Sequence, residues 1–341
     1  MHYQKTETDP GRHNMLFLLL VSLICVASFY NFQPNLGGGN LRMPYTYPVW
    51  IAALTVIGAG VLLFSSSARL VLPRYWAWLL ALPGGLLVSG LFAETLRPIE
   101  WALRLGFVIG GFMFLFSLFQ FRLDKRGIES VLFLLAVAGL LHTLVGYIQL
   151  FDSDLLRGWI PPSSRDRPDG IFQQPNLTAS LAATSLAIAI YLATTARFRS
   201  QSLVYKLFLY ANVLLQPAII LASGSRIGLV GLLVGVALLI ASRYRLLLRQ
   251  KKHLVILATA LLLGVGYGLY LSDEASRVQE KIARDGYQEA RVVVYKLTWE
   301  LVKEEPLFGH GIGSFPKAFQ EKRIAFQKAY PEAHSDKAMY G

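Results

Sequence analysis

An all-α polytopic membrane protein is the fold class that this sequence predicts, on three observations. Of its 341 residues, 54% are hydrophobic and 16% charged, whereas a soluble domain carries about a quarter charged residues; mean hydropathy is +0.45. Apolar runs of roughly 18 residues or more, the length that crosses a bilayer as helix, recur as far as Leu271. The polar residues collect in short links and in one tail, residues 273–341. The expected organisation is a transmembrane helical domain over 1–272 followed by a polar, largely helical loop over 273–341.

About nine spans are expected, near 15–31, 48–66, 76–93, 100–121, 129–151, 177–195, 203–222, 227–242 and 253–272. The first has the length of a signal peptide. It lacks a small-x-small cleavage site followed by a soluble domain, so it reads as a retained helix. Cys25, the one cysteine, lies within it, which excludes a disulfide framework and a cysteine-based metal site. A net charge of +12 would suit nucleic acid, but the charges fall in links, as topology requires, and no nucleic-acid partner is expected.

Orientation follows from the concentration of Lys and Arg in cytoplasmic links. With the N-terminus inside, the inner segments carry Lys5, Arg12, Arg69, Arg74, Arg122, Lys125, Arg126, Arg197 and Arg199, and then Arg243, Arg245, Arg249, Lys251 and Lys252. The outer links carry Arg42, Arg97, Arg157, Arg165, Arg167 and Arg226. The bias predicts a cytoplasmic N-terminus and puts the link between spans five and six on the same outer side as the tail. In the tail, Ser272 and Asp273 can cap a helix whose apolar residues recur around Val292, Val293, Leu297, Leu301 and Val302. Pro306 ends it, "LFGHGIGSF" forms a glycine-rich turn, and a short helix runs from Pro316 to Ala329.

Three polar constellations stand out. In "RDRPDGIFQQPNLTAS", Gly170 lets the chain turn, Pro175 sets a helix start and Asn176 lies at the N-terminal end of span six. Free N–H groups and the positive dipole end make such a terminus an anion site, to which Arg165 and Arg167 can add bidentate contacts; a polar helix cap with headgroup-facing arginines is the plainer reading. In "LASGSRIGLVG", Arg226 follows three small residues at the outer ends of spans seven and eight, and is either snorkelling or functional. In the tail, Arg291 lies on the predicted helix, with His310 and His334 in loops beyond it. A histidine can take a proton from a hydroxyl near neutral pH, though loop histidines are commonly just solvated. "GHGIG" follows no strand and is not a nucleotide loop. Within the spans, Glu100 and Arg104 are spaced to pair, and His142 suits a packed core.

These blocks, in this order, resemble the O-antigen ligase superfamily of WaaL-like membrane glycosyltransferases, and most closely its PglL-type branch, the protein O-oligosaccharyltransferases. The resemblance rests on "GIFQQPNLTASLAATSLAIAIYL", "SGSRIG" and "RVVVYKLTWELVKEEPLFGHGIGSF", and covers roughly residues 155–320. It implies a many-helix enzyme of the bacterial inner membrane with a large periplasmic loop over its cleft. The enzyme takes a glycan from undecaprenyl diphosphate, without nucleotide sugar, metal or other cofactor, and passes it to a Ser or Thr of a periplasmic or pilin-like protein. Lipid A-core is the alternative acceptor, and membrane lipids surround the enzyme. By the same resemblance Arg226 and Arg291 hold the diphosphate, with Arg165 and Arg167 beside them, Gln174, Asn176 and His310 contact substrate, and a loop histidine activates the acceptor hydroxyl. His334 is the candidate, but "AHSDKAMYG" departs from the family's histidine motif, and the expectation is a chain that stops short of it. A polyisoprenoid-linked sugar transporter is the reading from another class. It would place paired charges near the midplane and broken helices in two repeats, and neither is apparent.

Overall fold

The computed structural model describes residues 10–29, 47–67, 69–93, 98–151, 167–172, 174–283 and 287–329, with backbone alone at 10–12, 47–48, 273–283 and 287–291. Among the described residues all regular structure is helical: α1 (Pro10–Ala27), α2 (Tyr47–Ser67), α3 (Trp76–Leu79), α4 (Ala81–Phe92), α5 (Pro98–Gln120), α6 (Lys125–Phe151), α7 (Pro175–Ala193), α8 (Leu203–Ala222), α9 (Arg226–Leu248), α10 (Lys251–Ala283), α11 (Tyr287–Glu304) and α12 (Phe315–Ala329). A short 3-10 helix, Ala196–Ser200, joins α7 to α8. The all-α polytopic class is borne out.

Seven of these helices are long and apolar enough to cross a membrane, against the nine spans expected. The other two positions hold shorter apolar helices, His13–Ala27 and Trp76–Phe92. The second is interrupted at Leu80, between α3 and α4. Pro83 explains the interruption: it has no N–H to offer the carbonyl of Leu79, and its ring crowds that turn. The expected cap at Ser272 and Asp273 is not used, since α10 runs through both as one helix to Ala283. No glycine or proline stands between Gly268 and Gly286 to stop it.

The chain divides into two compact units, Met1–Thr55 with Arg122–Arg277, and Val56–Phe121 with Val278–Gly341. In the first, α6, α7, α8 and α9 pack around Leu186, Leu192, Leu209, Ile219 and Ile220, all almost fully buried. Helices in lipid gain little from apolar burial and associate through close packing and hydrogen bonds. Both are present. Thr143 on α6 donates to Gln216 Oε1 on α8, Gln216 Nε2 donates to Asn212 Oδ1 at 2.9 Å, and Ser185 on α7 donates to the same oxygen at 2.7 Å. On α10, a Cβ at Gly264 would fall 2.1 Å from the Leu214 carbonyl oxygen, beside Pro217 in α8. At the start of α6, Asp124 accepts from the Gly127 N–H at 2.6 Å and from Asn14 Nδ2 of α1 at 2.9 Å. The Gly127 bond, more than any other influence, holds the Asp124 carboxyl below its ordinary value.

In the second unit α2 meets α5 closely: a Cβ at Gly60 would lie 2.5 Å from that of Ser117. Gln120 at the end of α5 holds the link before α3 by both its amide atoms, accepting from Val71 N at 3.1 Å and donating to Val71 O at 2.9 Å. Lys322 of α12 pairs with Glu304 of α11, a hydrogen bond that raises the Lys322 pKa.

Gly264 and its neighbour Gly266 test the close approach. A Cβ at Gly266 meets open space. Gly264→Ala is expected to cost about 1–3 kcal/mol, the usual penalty of overpacking, and to lower the temperature at which purified protein loses its monodisperse elution. Gly266→Ala should leave that temperature unchanged or raise it, alanine being the better helix former.

Candidate functional site

In the first unit the polar loop ahead of α7 is seated on one face of α6. His142, Gly146 and Gln149 recur at i, i+4 and i+7, so they share that face. The absence of a side chain at Gly146 admits Pro168, whose Cβ would be 3.3 Å from a Cβ there. Gln149 receives the Gly170 N–H on its Oε1 at 2.7 Å and donates from Nε2 to the Gly170 carbonyl at 3.2 Å. Ile171 packs with Val145, Ile148 and Phe29. The His142 ring lies between Phe29, with centroids 3.9 Å apart, and Phe172, at 5.1 Å. Its Nε2 is 2.9 Å from the Ser28 hydroxyl.

The loop is closed from the other side by α7. Thr178 Oγ1 donates to the Asp169 carbonyl at 2.6 Å, and the Gln174 N–H donates to the same oxygen at 3.2 Å. Gly170 has φ +63, and a Cβ there would also sit 2.5 Å from Thr178 Oγ1. The position therefore calls for glycine on two counts. Helix α7 then starts with Gln174 as N-cap residue, without a side-chain cap bond, and Pro175 in its first turn. Gln174 and Asn176 are exposed, and Arg167 is half-buried.

The turn between α8 and α9 is built by two buried serines. Ser223 accepts from the Ser225 N–H at 3.2 Å, Gly224 takes φ +64, and Ser225 caps α9 by accepting from the Gly228 N–H at 3.1 Å. Arg226, first residue of α9, is exposed. Helices α7 and α9 run parallel in contact. A Cβ at Gly228 would be 2.5 Å from Ala179 Cβ, with Gly231 against Ala183 and Gly235 against Ala187 further along. The N-terminal ends of both helices thus lie together, and Arg167, Gln174, Asn176 and Arg226 belong to the same end of this unit. Two positive dipole ends and two arginines make that end suited to an anion.

In the second unit, the glycine-rich turn after α11 has Gly309, Gly311 and Gly313 at φ +63, +77 and +93. It is seated on the end of α4 and the start of α5. Ser89 donates to the Phe308 carbonyl, Phe92 stacks on Phe308 with centroids 5.2 Å apart, and a Cβ at Gly313 would be 3.1 Å from Arg104 Nε. Gly313 lies against both Glu100 and Arg104. His310 is half-buried, with Nε2 3.2 Å from the Leu301 carbonyl. Arg291 lies on the backbone of α11, its side chain outside the described residues. Arg165 and His334 lie outside them altogether. No group of three His, Cys, Asp or Glu among the described residues has the arrangement of a metal site. Gln149 and Thr178 were not singled out by the sequence; the i, i+4, i+7 recurrence of His142, Gly146 and Gln149 was the available signal.

What these observations define is an all-helical membrane protein with an anion-suited end formed by two parallel helix starts. Residues 211–338 match the family model described as O-antigen ligase, and residues 168–193 match that described as protein glycosylation ligase. No curated protein and no solved structure matches the chain. The two family matches bear out the resemblance to the WaaL-like, PglL-type ligases over the residues they cover.

The Gln149 clamp is directly testable. Gln149→Leu leaves the buried N–H and carbonyl of Gly170 without that partner, a loss of about 1–3 kcal/mol for each group. Amide exchange across 167–172 should rise in this variant and in Thr178→Val, while exchange in α9 stays at the wild-type level.

Proposed function

We propose that the protein transfers a glycan from undecaprenyl diphosphate to a Ser or Thr hydroxyl of a periplasmic or pilin-like protein. The match of residues 168–193 to the protein glycosylation ligase model is the observation that favours a protein acceptor. It falls on the loop held by Gln149 and Thr178 and on α7 itself. The O-antigen ligase match over 211–338 keeps lipid A-core as the second acceptor reading, with the same donor chemistry.

In this reading the acceptor oxygen attacks the anomeric carbon, the bond from that carbon to the diphosphate oxygen breaks, and the diphosphate leaves with the electron pair. The hydroxyl proton passes to a base, for which His334 is the family-derived candidate. Charge grows on the leaving diphosphate, so fixed positive groups there lower the barrier. Arg226 takes that role from the start of α9, supported by the α7 and α9 dipole ends. Arg291 is assigned the same role through the family resemblance, and Arg165 and Arg167 supplement them. Gln174 and Asn176 orient the sugar with neutral hydrogen bonds, and His310 contributes to substrate binding. The charge bias of the links supports a cytoplasmic N-terminus in a bacterial inner membrane, with the tail in the periplasm.

The test uses cells that make a lipid-linked glycan, lack their own ligase and express the gene at full length. A glycan-sized mass gain on a pilin-like acceptor supports the protein-acceptor reading. Laddered lipopolysaccharide with unmodified protein moves the acceptor to lipid A-core. Arg226→Ala should lower the transfer rate on the order of 10²-fold, as loss of one transition-state charge contact does. Wild-type levels of both products from Arg226→Ala and Arg291→Ala would exclude the diphosphate roles.

A further inference from the structure

Helix α11, in the second unit, presents a surface that the proposed glycan transfer does not use. Val292, Tyr295, Trp299 and Val302 recur at intervals of three and four residues, so they form one stripe along the helix. All four are between 47% and 70% exposed. The opposite face carries Leu297 and Leu301, which are almost fully buried, and Glu304, which pairs with Lys322 of α12. That face meets the rest of the unit, and the stripe points away from it. The helix is not itself a span. It carries Glu289, Arg291, Lys296, Glu300, Lys303 and Glu304, and it is not among the seven helices apolar enough to cross a membrane.

Large apolar side chains exposed along one face mark a docking surface, and three observations in this unit select the bilayer surface as its occupant. The foot of α11 stands at the edge of the bilayer: the turn after it rests on the end of α4 and the start of α5, through Ser89, Phe92 and Gly313, and α5 is long and apolar enough to span. Apolar exposure is shared across that seat, by Leu91 and Phe92 at the end of α4 and by Leu307 and Phe308 in the turn. The third observation is charge. Lys296 and Lys303, seven residues apart, lie along one edge of the stripe, and Lys303 Nζ is 5.9 Å from the centroid of the Trp299 ring. Lysine is depleted at protein interfaces. A lysine that lays its stem on apolar surface and reaches phosphate with its ammonium belongs to a helix lying among headgroups, the level at which Trp and Tyr also gather.

We propose that α11 lies in the plane of the membrane surface, with Val292, Tyr295, Trp299 and Val302 immersed where headgroups meet acyl chains and Lys296 and Lys303 directed to phosphates. The proposal concerns placement and stands whether or not the reaction is as proposed. Its use rests on that reading: Arg291 precedes Val292 on the same helix, so its backbone is held at the level of a lipid-linked diphosphate.

The experiment places a nitroxide on the full chain in lipid nanodiscs at Tyr295→Cys, Trp299→Cys, Val302→Cys or Lys296→Cys. All four side chains are exposed, so the substitutions leave the packed face intact. Cys25 is buried and stays in place, with wild-type protein taken through labelling as the blank. Power-saturation EPR compares collision with oxygen, which dissolves in the bilayer, with collision with a water-soluble nickel chelate. The ratio of oxygen to nickel collision should be higher at all three stripe positions than at Lys296→Cys, and adding Trp299→Ser to Val302→Cys should lower it. Positions 295 and 302 are about 10 Å apart along the helix. A high ratio at 302 with a low one at 295 means a helix standing upright on its foot, and overturns the proposal. Nickel collision prevailing along the stripe overturns it by leaving the stripe in water. Protection from both reagents overturns it in favour of a protein partner. None of these readouts depends on glycan transfer, so failure here and failure of the proposed reaction are separate results.

Discussion

The parallel contact between α7 and α9 is the constraint from which the arrangement of the anion-suited end follows. Two helices next but one in sequence can run parallel only if the helix between them reverses direction, and α8 does so within its 20 residues. Lipid offers no hydrophobic drive to hold α7 and α9 together, so contact depends on backbones coming close enough for dispersion to add up. Glycine at 228, 231 and 235 against alanine at 179, 183 and 187 permits that approach along about two turns. Once it is made, the loop entering α7 and the turn entering α9 have no choice but to share an end. Their dipole ends then add.

Close approach alone would leave the entering loop with buried backbone groups and no water to satisfy them. The chain solves this with side-chain amides. Gln149 meets both polar groups of Gly170, and in the other unit Gln120 meets both of Val71. An amide presents one donor and one acceptor in a plane, which matches a backbone residue in extended or turn geometry. It does so without bringing a charge into the bundle. The same economy of charge runs through the centre, where Thr143, Ser185, Asn212 and Gln216 satisfy one another as neutral groups.

The sequence disclosed these features unevenly, for physical reasons. Hydropathy and periodicity are properties of single segments, and they located the helices well. At two of the nine expected positions the described apolar helices are shorter, because Pro83 interrupts one run and the polar start of α1 shortens the other. Gly170 and Pro175 were legible because their backbone requirements are intrinsic to the residue type. Ser272 and Asp273 misled because a capping residue only caps where the helix has cause to begin, and α10 had no cause to stop. Gln149 was hidden for the opposite reason: its partner is a backbone unit 21 residues away, and nothing local marks a glutamine that will reach it. The roles of Arg165, Arg291 and His334 rest on the family resemblance.

The two ends of the first unit handle charge in related ways. At the Gly170 end the backbone of the entering loop is met by neutral side chains, Gln149 and Thr178, while the Asp169 side chain is buried in the same loop and Arg226 stands exposed at the start of α9. At the other end Glu129 and Arg197 border one pocket with Phe133 and Tyr205. Both ends keep their ionisable groups where helices start or stop, within reach of the polar side of the bilayer, where an ion costs least. Between them the bundle is held by the neutral hydrogen bonds of Thr143, Ser185, Asn212 and Gln216, so the charged ends can vary without disturbing the packing that sets the helix positions.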